Sequence, residues 1–304
     1  MSLKDLIKQL PHPLFLRLFY FQYFFRERRL ADAARRRAQL PLLTAEALYQ
    51  AKRSEVLFIL GSGPSINQIP EARWQVMAKH DTAALNFWPL HPFVPRMYFF
   101  ESIEADVDRP RNEFLLGVLQ ARAADYQQTT KVATEIHGRG RQTIDAVPEA
   151  FRKNLYVAHS VPAPARNLRE LAYAFEHLRA RDFFHPHKNY AQLVKYASSL
   201  SALLLLAARM GYRQMVLCGI DLKTQEYFFQ EPTRFPQYAH LEFIPRWQPH
   251  DTNTPLEWRL PAAEVVQQID RQFLQPEGIN LYLENSNSAL WPNIPLAPDW
   301  LWSS

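Results

Sequence analysis

The chain has 304 residues, of which 47% are hydrophobic and 13% aromatic, enough apolar surface for a core and enough to exclude wholesale disorder. A single cysteine, Cys218, excludes a disulfide framework and a cysteine-rich zinc site, and fits a reducing compartment. Lys plus Arg outnumber Asp plus Glu by 35 to 30, a formal charge of +5, and the length suits one large domain or two small ones.

That charge is concentrated at the start. Residues 1–40 hold nine basic and three acidic side chains, a balance of +6 that leaves −1 for the rest. Between the cations runs an aromatic and aliphatic stretch from Leu14 to Phe25, broken by Arg17 and Gln22. It is too short and too charged to span a bilayer, which takes about 20 apolar residues. It leads into RERRLADAARRR rather than a small-residue cleavage site, so it is not a secretory signal. Residues 1–53 therefore read as a basic, aromatic N-terminal helical arm. The reading for residues 1–40 is a membrane surface as partner, with arginines on anionic headgroups and rings at the acyl boundary. That places the protein in the cytoplasm at the inner face of the plasma membrane. The alternative is an arm whose aromatics pack on the body of the protein or on a second subunit. No nucleic-acid fold signature accompanies the arm, so nucleic acid is not an expected partner.

Residues 54–304 read as one domain. The apolar run Val56 to Leu60 is a buried strand that stops at Gly61, Gly63 and Pro64. A helix over 70–79, a strand TAALNF, a strand RMYFF and a helix over 111–126 follow, with weaker strands over 131–136 and 154–158. The span 190–210 reads as one long helix ended by Gly211, delivering the chain to the strand RQMVLCGID. Residues 223–250 lose periodicity and fill with Pro, Phe, Tyr and Gln, as a lid or binding loop does. A helix over 261–274 and a strand INLYLEN complete the pattern. The tail from Ser286 carries Trp291, Trp300 and Trp302, expected to pack their indoles. Strand and helix alternation of this kind predicts an α/β, Rossmann-like, mainly parallel sheet with helices on both faces.

Ligands of open parallel sheets bind beyond the carboxyl ends of the strands. Polar residues collect at four such places: Gly61-Ser62-Gly63-Pro64-Ser65, Asn86, Glu101 to Asp108, and Gly219 to Asp221. The first is a tight turn expected to lead into a helix whose free N–H groups hold a phosphate. It matches neither a Walker loop nor the dinucleotide fingerprint, whose third glycine is absent. Asp106-Val107-Asp108, with Glu101 and Glu104 nearby, offers a competing signal, since metal-dependent glycosyltransferases hold a divalent ion with such a pair. His185-Pro186-His187 has no third ligand nearby in the sequence and is a weak metal candidate.

Three segments in order resemble the sialyltransferases of glycosyltransferase family 42. They are Gly61-Ser62-Gly63-Pro64-Ser65, Gly211-Tyr212 leading to Cys218-Gly219-Ile220-Asp221, and His250-Asp251-Thr252-Asn253-Thr254. The resemblance runs over roughly residues 55–290 and includes LYLENSNSAL. It implies a GT-A variant fold with a lid around 223–250, and inverting, metal-independent transfer of a sugar acid from a CMP-activated donor, with no cofactor. It places the general base on His250, nucleotide contact on Asn86, and donor contacts on Ser198 and Ser199. It adds Asn253 and Thr254 to the substrate-binding set of a nucleotide-sugar-binding catalytic domain over residues 54–304. Ser62 stands where the family commonly has Asn, and Leu200 where it has Gly, which narrows room beside the donor. Lys223 falls at the first of two tyrosines that hold the leaving phosphate, with Tyr227 and Phe229 near the second. These departures leave the donor open among sialic acid, Kdo and other nonulosonates. The expected acceptor is a surface glycan or glycolipid of lipopolysaccharide or capsule type, and the resemblance allows a homo-oligomer. Two alternatives stand beside this reading: a metal-dependent transferase using a nucleotide-diphosphate sugar, and a non-catalytic nucleotide- or glycan-binding protein.

Overall fold

The computed structural model describes residues 10–101, 109–134, 143–196, 198–223, 225–241, 251–256 and 259–303. The chain opens with helix α1 (His12–Gln22), which passes through a π-helical turn, Tyr23–Glu27, into α2 (Arg28–Arg37). Helix α3 (Ala45–Ala51) is started by Thr44, whose Oγ1 accepts from the Ala47 N–H at 3.2 Å. Then come β1 (Val56–Leu60), α4 (Glu71–Lys79), β2 (Asp81–Leu85), β3 (Met97–Glu101), α5 (Arg109–Ala121), β4 (Thr130–Thr134), β5 (Leu155–Val157) and β6 (His159–Pro162). They are followed by α6 (Leu168–Arg179), β7 (Gln192–Lys195), α7 (Ser199–Arg209), β8 (Gln214–Cys218), α8 (Ala262–Ile269), β9 (Asn280–Leu283) and α9 (Asp299–Trp302).

Seven strands form one sheet in the order β5-β4-β3-β2-β1-β8-β9, and every neighbouring pair is parallel. The α/β, Rossmann-like expectation holds. Alternate residues of a strand face opposite sides, and β1 shows why this sheet needs cover on both. Leu57 and Ile59 belong to one buried cluster with α7 and α8, while Phe58 and Leu60 belong to another with Trp88, Tyr98 and Phe151. In β8, Met215 and Leu217 join the first cluster and Val216 and Cys218 the second. The sheet edges are covered too. Val157 of β5 exchanges bonds with Pro41 and Leu43, and Leu283 of β9 with Pro295 and Ala297. The N-terminal arm is part of this packing, since Phe15, Leu16 and Tyr20 are buried in the first cluster.

The 190–210 span is not one helix. Gln192–Lys195 is strand β7, which pairs in parallel with β6 as a second, two-stranded sheet, and α7 starts at Ser199. A short apolar run such as Gln192–Val194 is ambiguous between helix and strand, and the available partner β6 decides it. Among the three tail tryptophans, Trp302 packs 5.4 Å from the Phe58 ring, whereas Trp291 and Trp300 are exposed, contrary to the expectation that all pack. The described part of the aperiodic segment, 225–241, is anchored: Phe228 and Phe229 are fully buried against Trp88 and Phe87.

One half-buried histidine follows from this packing. His91 lies among Trp74, Trp88 and Phe228, and its Nδ1 accepts from the Phe93 N–H at 3.1 Å. Burial, with Arg122 and Arg234 nearby, pushes its imidazole down to about 4. An unfolded histidine takes up its proton near 6.5. Between these values the unfolded state holds more protons than the folded one, so stability falls as pH is lowered through that window, by about 3 kcal/mol in all. Thermal unfolding of the wild type should show this loss from pH 6.5 downward. His91→Asn, which keeps an acceptor for Phe93 and does not titrate, should make that part of the profile shallower, the remainder belonging to His80, His159 and His177, which burial also pushes down.

Candidate active site

The chain builds outward from β1 to β5 and later returns to place β8 on the other side of β1. The crevice beyond the carboxyl ends of β1 and β8 is therefore the topological switch point, where parallel sheets bind ligands. Gly61-Ser62-Gly63-Pro64-Ser65 leaves β1 there, and Gly219-Ile220-Asp221 leaves β8. The two turns interlock. The Gly61 N–H donates to Cys218 O and the Gly63 N–H to Gly219 O, both at 2.8 Å. Asp221 holds Ser65 twice, with Oδ2 accepting from the backbone N–H at 3.0 Å and Oδ1 from the hydroxyl at 2.5 Å. A Cβ on Gly63 would stand 2.5 Å from Asp221 Oδ2, so the turn closes only with glycine.

This geometry corrects the expectation of a turn rich in free N–H groups at an α-helix. The turn runs into a 3-10 segment, Pro64–Gln68, and α4 begins at Glu71. The N–H groups of Gly61, Gly63 and Ser65 are already engaged, and Pro64 has none. Ser65 is buried and Asp221 is its partner, so both shape the crevice. Ser62 is half-buried, and its carbonyl accepts from the Phe228 N–H at 2.9 Å. The Asn67 side chain donates to Phe228 O at 2.8 Å, which pins the 228–230 turn over the motif.

Asn86 ends β2 in the left-handed region, φ 48°, which Asn tolerates better than most residues. Its N–H donates to Phe99 O at 2.9 Å and its carbonyl accepts from the Tyr98 hydroxyl. The half-buried carboxamide has no hydrogen-bond partner among the described residues. Tyr227 packs on the next residue, edge-on to the Phe87 ring at 6.0 Å, and stacks on Phe229 at 5.2 Å.

At the end of β3, Glu101 accepts from Lys195 Nζ at 3.0 Å and from the Ser199 hydroxyl. Lys195 ends β7, and Ser198 and Ser199 open α7, so the small sheet and the helix together hold the carboxylate. Lys195 is a site residue that sequence reasoning missed, because reading 190–210 as a helix gave it no strand end to occupy. Leu200, in the first turn of α7, is buried in the first cluster. From Glu101 across β2 and β1 to Asp221 at β8, the polar edge covers three strand spacings, about 14 Å.

The third motif reaches the same edge. Asn253 donates to Leu222 O at 3.1 Å and accepts from the Ala263 N–H at 2.9 Å, which fastens the Asp251–Asn253 turn between the β8 motif and the start of α8. Both hands of that carboxamide are used, so Asn253 is a latch. Thr254 is half-buried next to it, with its carbonyl 3.4 Å from the Arg259 guanidinium. Lys223 follows Leu222 and is exposed. Ser288 Oγ donates to Ile220 O at 2.5 Å and the Ala289 N–H to Asp221 O at 2.8 Å, so the N-S-N-S stretch buttresses the β8 turn. His250, Glu104, Asp106 and Asp108 lie outside the described residues. Among the described residues no three His, Cys, Asp or Glu side chains form a cluster able to hold a metal ion. The His185 Nδ1 accepts from the His187 N–H at 3.1 Å, a turn contact.

Fold and site together define an α/β protein whose three spaced motifs meet at a switch-point crevice. No protein-family model and no curated protein sequence matches the chain. Among solved structures it is similar to the monofunctional alpha-2,3-sialyltransferase Cst-I from Campylobacter jejuni, at 15% identity and TM-score 0.45, over 82% of this chain and 83% of that one. It is also similar to an alpha-2,3-sialyltransferase from the same organism in apo form, at 13% identity and TM-score 0.42, over 82% and 83%. A third is the Campylobacter jejuni sialyltransferase CstII in complex with the substrate analogue cytidine-5'-monophosphate, at 14% identity and TM-score 0.42, over 80% and 85%.

Proposed function

We propose that the chain is an inverting glycosyltransferase that moves a sialic acid, Kdo or related nonulosonic acid from a CMP-activated donor to a glycan or glycolipid acceptor of lipopolysaccharide or capsule type. The observation that supports it is the convergence of the three motifs. Gly63 bonds to Gly219, Ser65 to Asp221, and Asn253 to Leu222, although the segments lie far apart in the chain. Residues that merely happened to match short patterns would have no reason to hydrogen-bond at one switch point.

In this reading the cytidine nucleotide lies across the β1 and β2 ends, with the free carboxamide of Asn86 available to it. Ser198 and Ser199 border the donor sugar, while Lys195 and the Ser199 hydroxyl hold Glu101 at the edge of the site. The acceptor hydroxyl oxygen attacks the anomeric carbon, the bond from that carbon to the phosphate oxygen breaks, and CMP leaves from the opposite face. His250 takes the acceptor proton, and Lys223, helped by Tyr227, offsets charge on the departing phosphate. The transfer needs no metal.

A thermal-shift series with CMP, CDP, UDP and GDP, each with and without Mn²⁺, tests the proposal. A ligand at a hundred times its Kd adds about 2.7 kcal/mol to the folded state. CMP is expected to raise the Tm without metal. Stabilisation by UDP or GDP only with Mn²⁺ would move the donor site to Asp106 and Asp108, and no response to any nucleotide would reject both readings.

A further inference from the structure

The arm divides its apolar residues between two faces. One face is spent on the body: Tyr20 Oη donates to Pro162 O at 3.0 Å and stacks on His177 at 5.5 Å, Tyr23 donates to Ser160 O, and Phe24 packs 5.8 Å from Phe183. The other face is uncovered. Leu14, Leu18, Phe21 and Phe25 are 45, 43, 70 and 57% exposed, and their spacing of four, three and four residues sets them in one stripe. Phe21 and Phe25 stack at 5.9 Å, and the Arg29 guanidinium lies 4.5 Å over the Phe25 ring. A shallow groove beside this stripe is lined by Arg17, Arg29, Arg181, His177 and aromatic rings and, among the described residues, by no acidic side chain. Arg26 is exposed between Phe25 and the start of α2.

We infer that this face docks on an anionic lipid bilayer, with Leu14, Leu18, Phe21 and Phe25 in the headgroup region and Arg17, Arg26, Arg29 and Arg181 on lipid phosphates. Charge decides the occupant. A two-fold contact with a second copy would set these arginines against their own equivalents, with no carboxylate among the described residues of the groove to pair them. An anionic bilayer supplies phosphate at the rim and hydrocarbon beneath it, the two environments the stripe needs side by side. No described helix is long and apolar enough to cross a membrane, so the arm lies along the surface. The inference is independent of the donor chemistry proposed above.

Flotation of the full chain with vesicles tests it, using phosphatidylcholine alone and phosphatidylcholine with one third phosphatidylglycerol. The wild type is expected to float with the anionic vesicles and to be released by salt. Phe21→Ala with Phe25→Ala should weaken binding by about tenfold or more. Arg17→Gln with Arg29→Gln should weaken it about fivefold per charge and reduce the salt dependence. All four side chains are exposed, so an unchanged Tm is the control for folding. A wild type that stays unbound, or a Phe21/Phe25 variant that floats as well as the wild type, overturns the inference. So does a dimer in light scattering that the same variant dissociates while vesicles remain unbound, which would assign the face to a second copy.

Discussion

Gly219→Ala is expected to destabilise the protein by about 2–5 kcal/mol and to abolish nucleotide binding. Gly219 has φ 65°, a left-handed conformation that costs a residue with a Cβ roughly 1–2 kcal/mol. A Cβ there would stand 2.7 Å from Cδ1 of Ile66 and closer still to its Cγ1. Ile66 is buried in the 3-10 segment that follows the first motif, so it has little room to move, and overpacking of this kind costs about 1–3 kcal/mol more. The same peptide supplies the carbonyl that takes the Gly63 N–H, so the strain is delivered to the turn that shapes the crevice. Gly278→Ala separates the two contributions. Gly278 has φ 67°, but a Cβ there would meet nothing within 4 Å, so the change should cost about 1–2 kcal/mol and leave nucleotide binding intact. Urea unfolding of both variants measures the difference. Equal losses would mean that the contact between the two turns contributes nothing.

The same pair of turns shows what a sequence can disclose here. The buried run Val56 to Leu60 and its stop at Gly61 were legible because a parallel strand is apolar on both faces and ends where glycine and proline intervene. That the later G-I-D segment would reach the same carboxyl edge was also legible, because it too follows a predicted strand. Whether Asp221 meets a ligand or its own chain was not, because spacing brings a carboxylate to an edge without saying what it accepts there. Ser65 takes both of its oxygens. Lys195 was hidden for a different reason: a four-residue strand is recognisable by its partner, and β6 lies some thirty residues earlier. The arm is intermediate. Its stripe can be counted in the sequence, but the face that Tyr20 and Phe24 spend on the body depends on Pro162, His177 and Phe183, which no local pattern names.

His250→Ala is expected to lower turnover by about 10²–10⁴-fold while leaving the CMP-induced rise in Tm unchanged. The size is that of a lost general base: the acceptor hydroxyl must shed its proton as its oxygen attacks, and water replaces imidazole poorly. The separation of effects follows from the proposed role, since a base that takes the acceptor proton acts on the acceptor hydroxyl and need not touch the nucleotide. The pH–rate profile of the wild type should carry a limb that rises as the base loses its proton, and the variant should lack that limb. Loss of CMP binding in His250→Ala would place the residue in the donor site instead of at the acceptor. Equal turnover in both proteins would remove it from the chemistry and leave the interlocked turns as a binding crevice without this base.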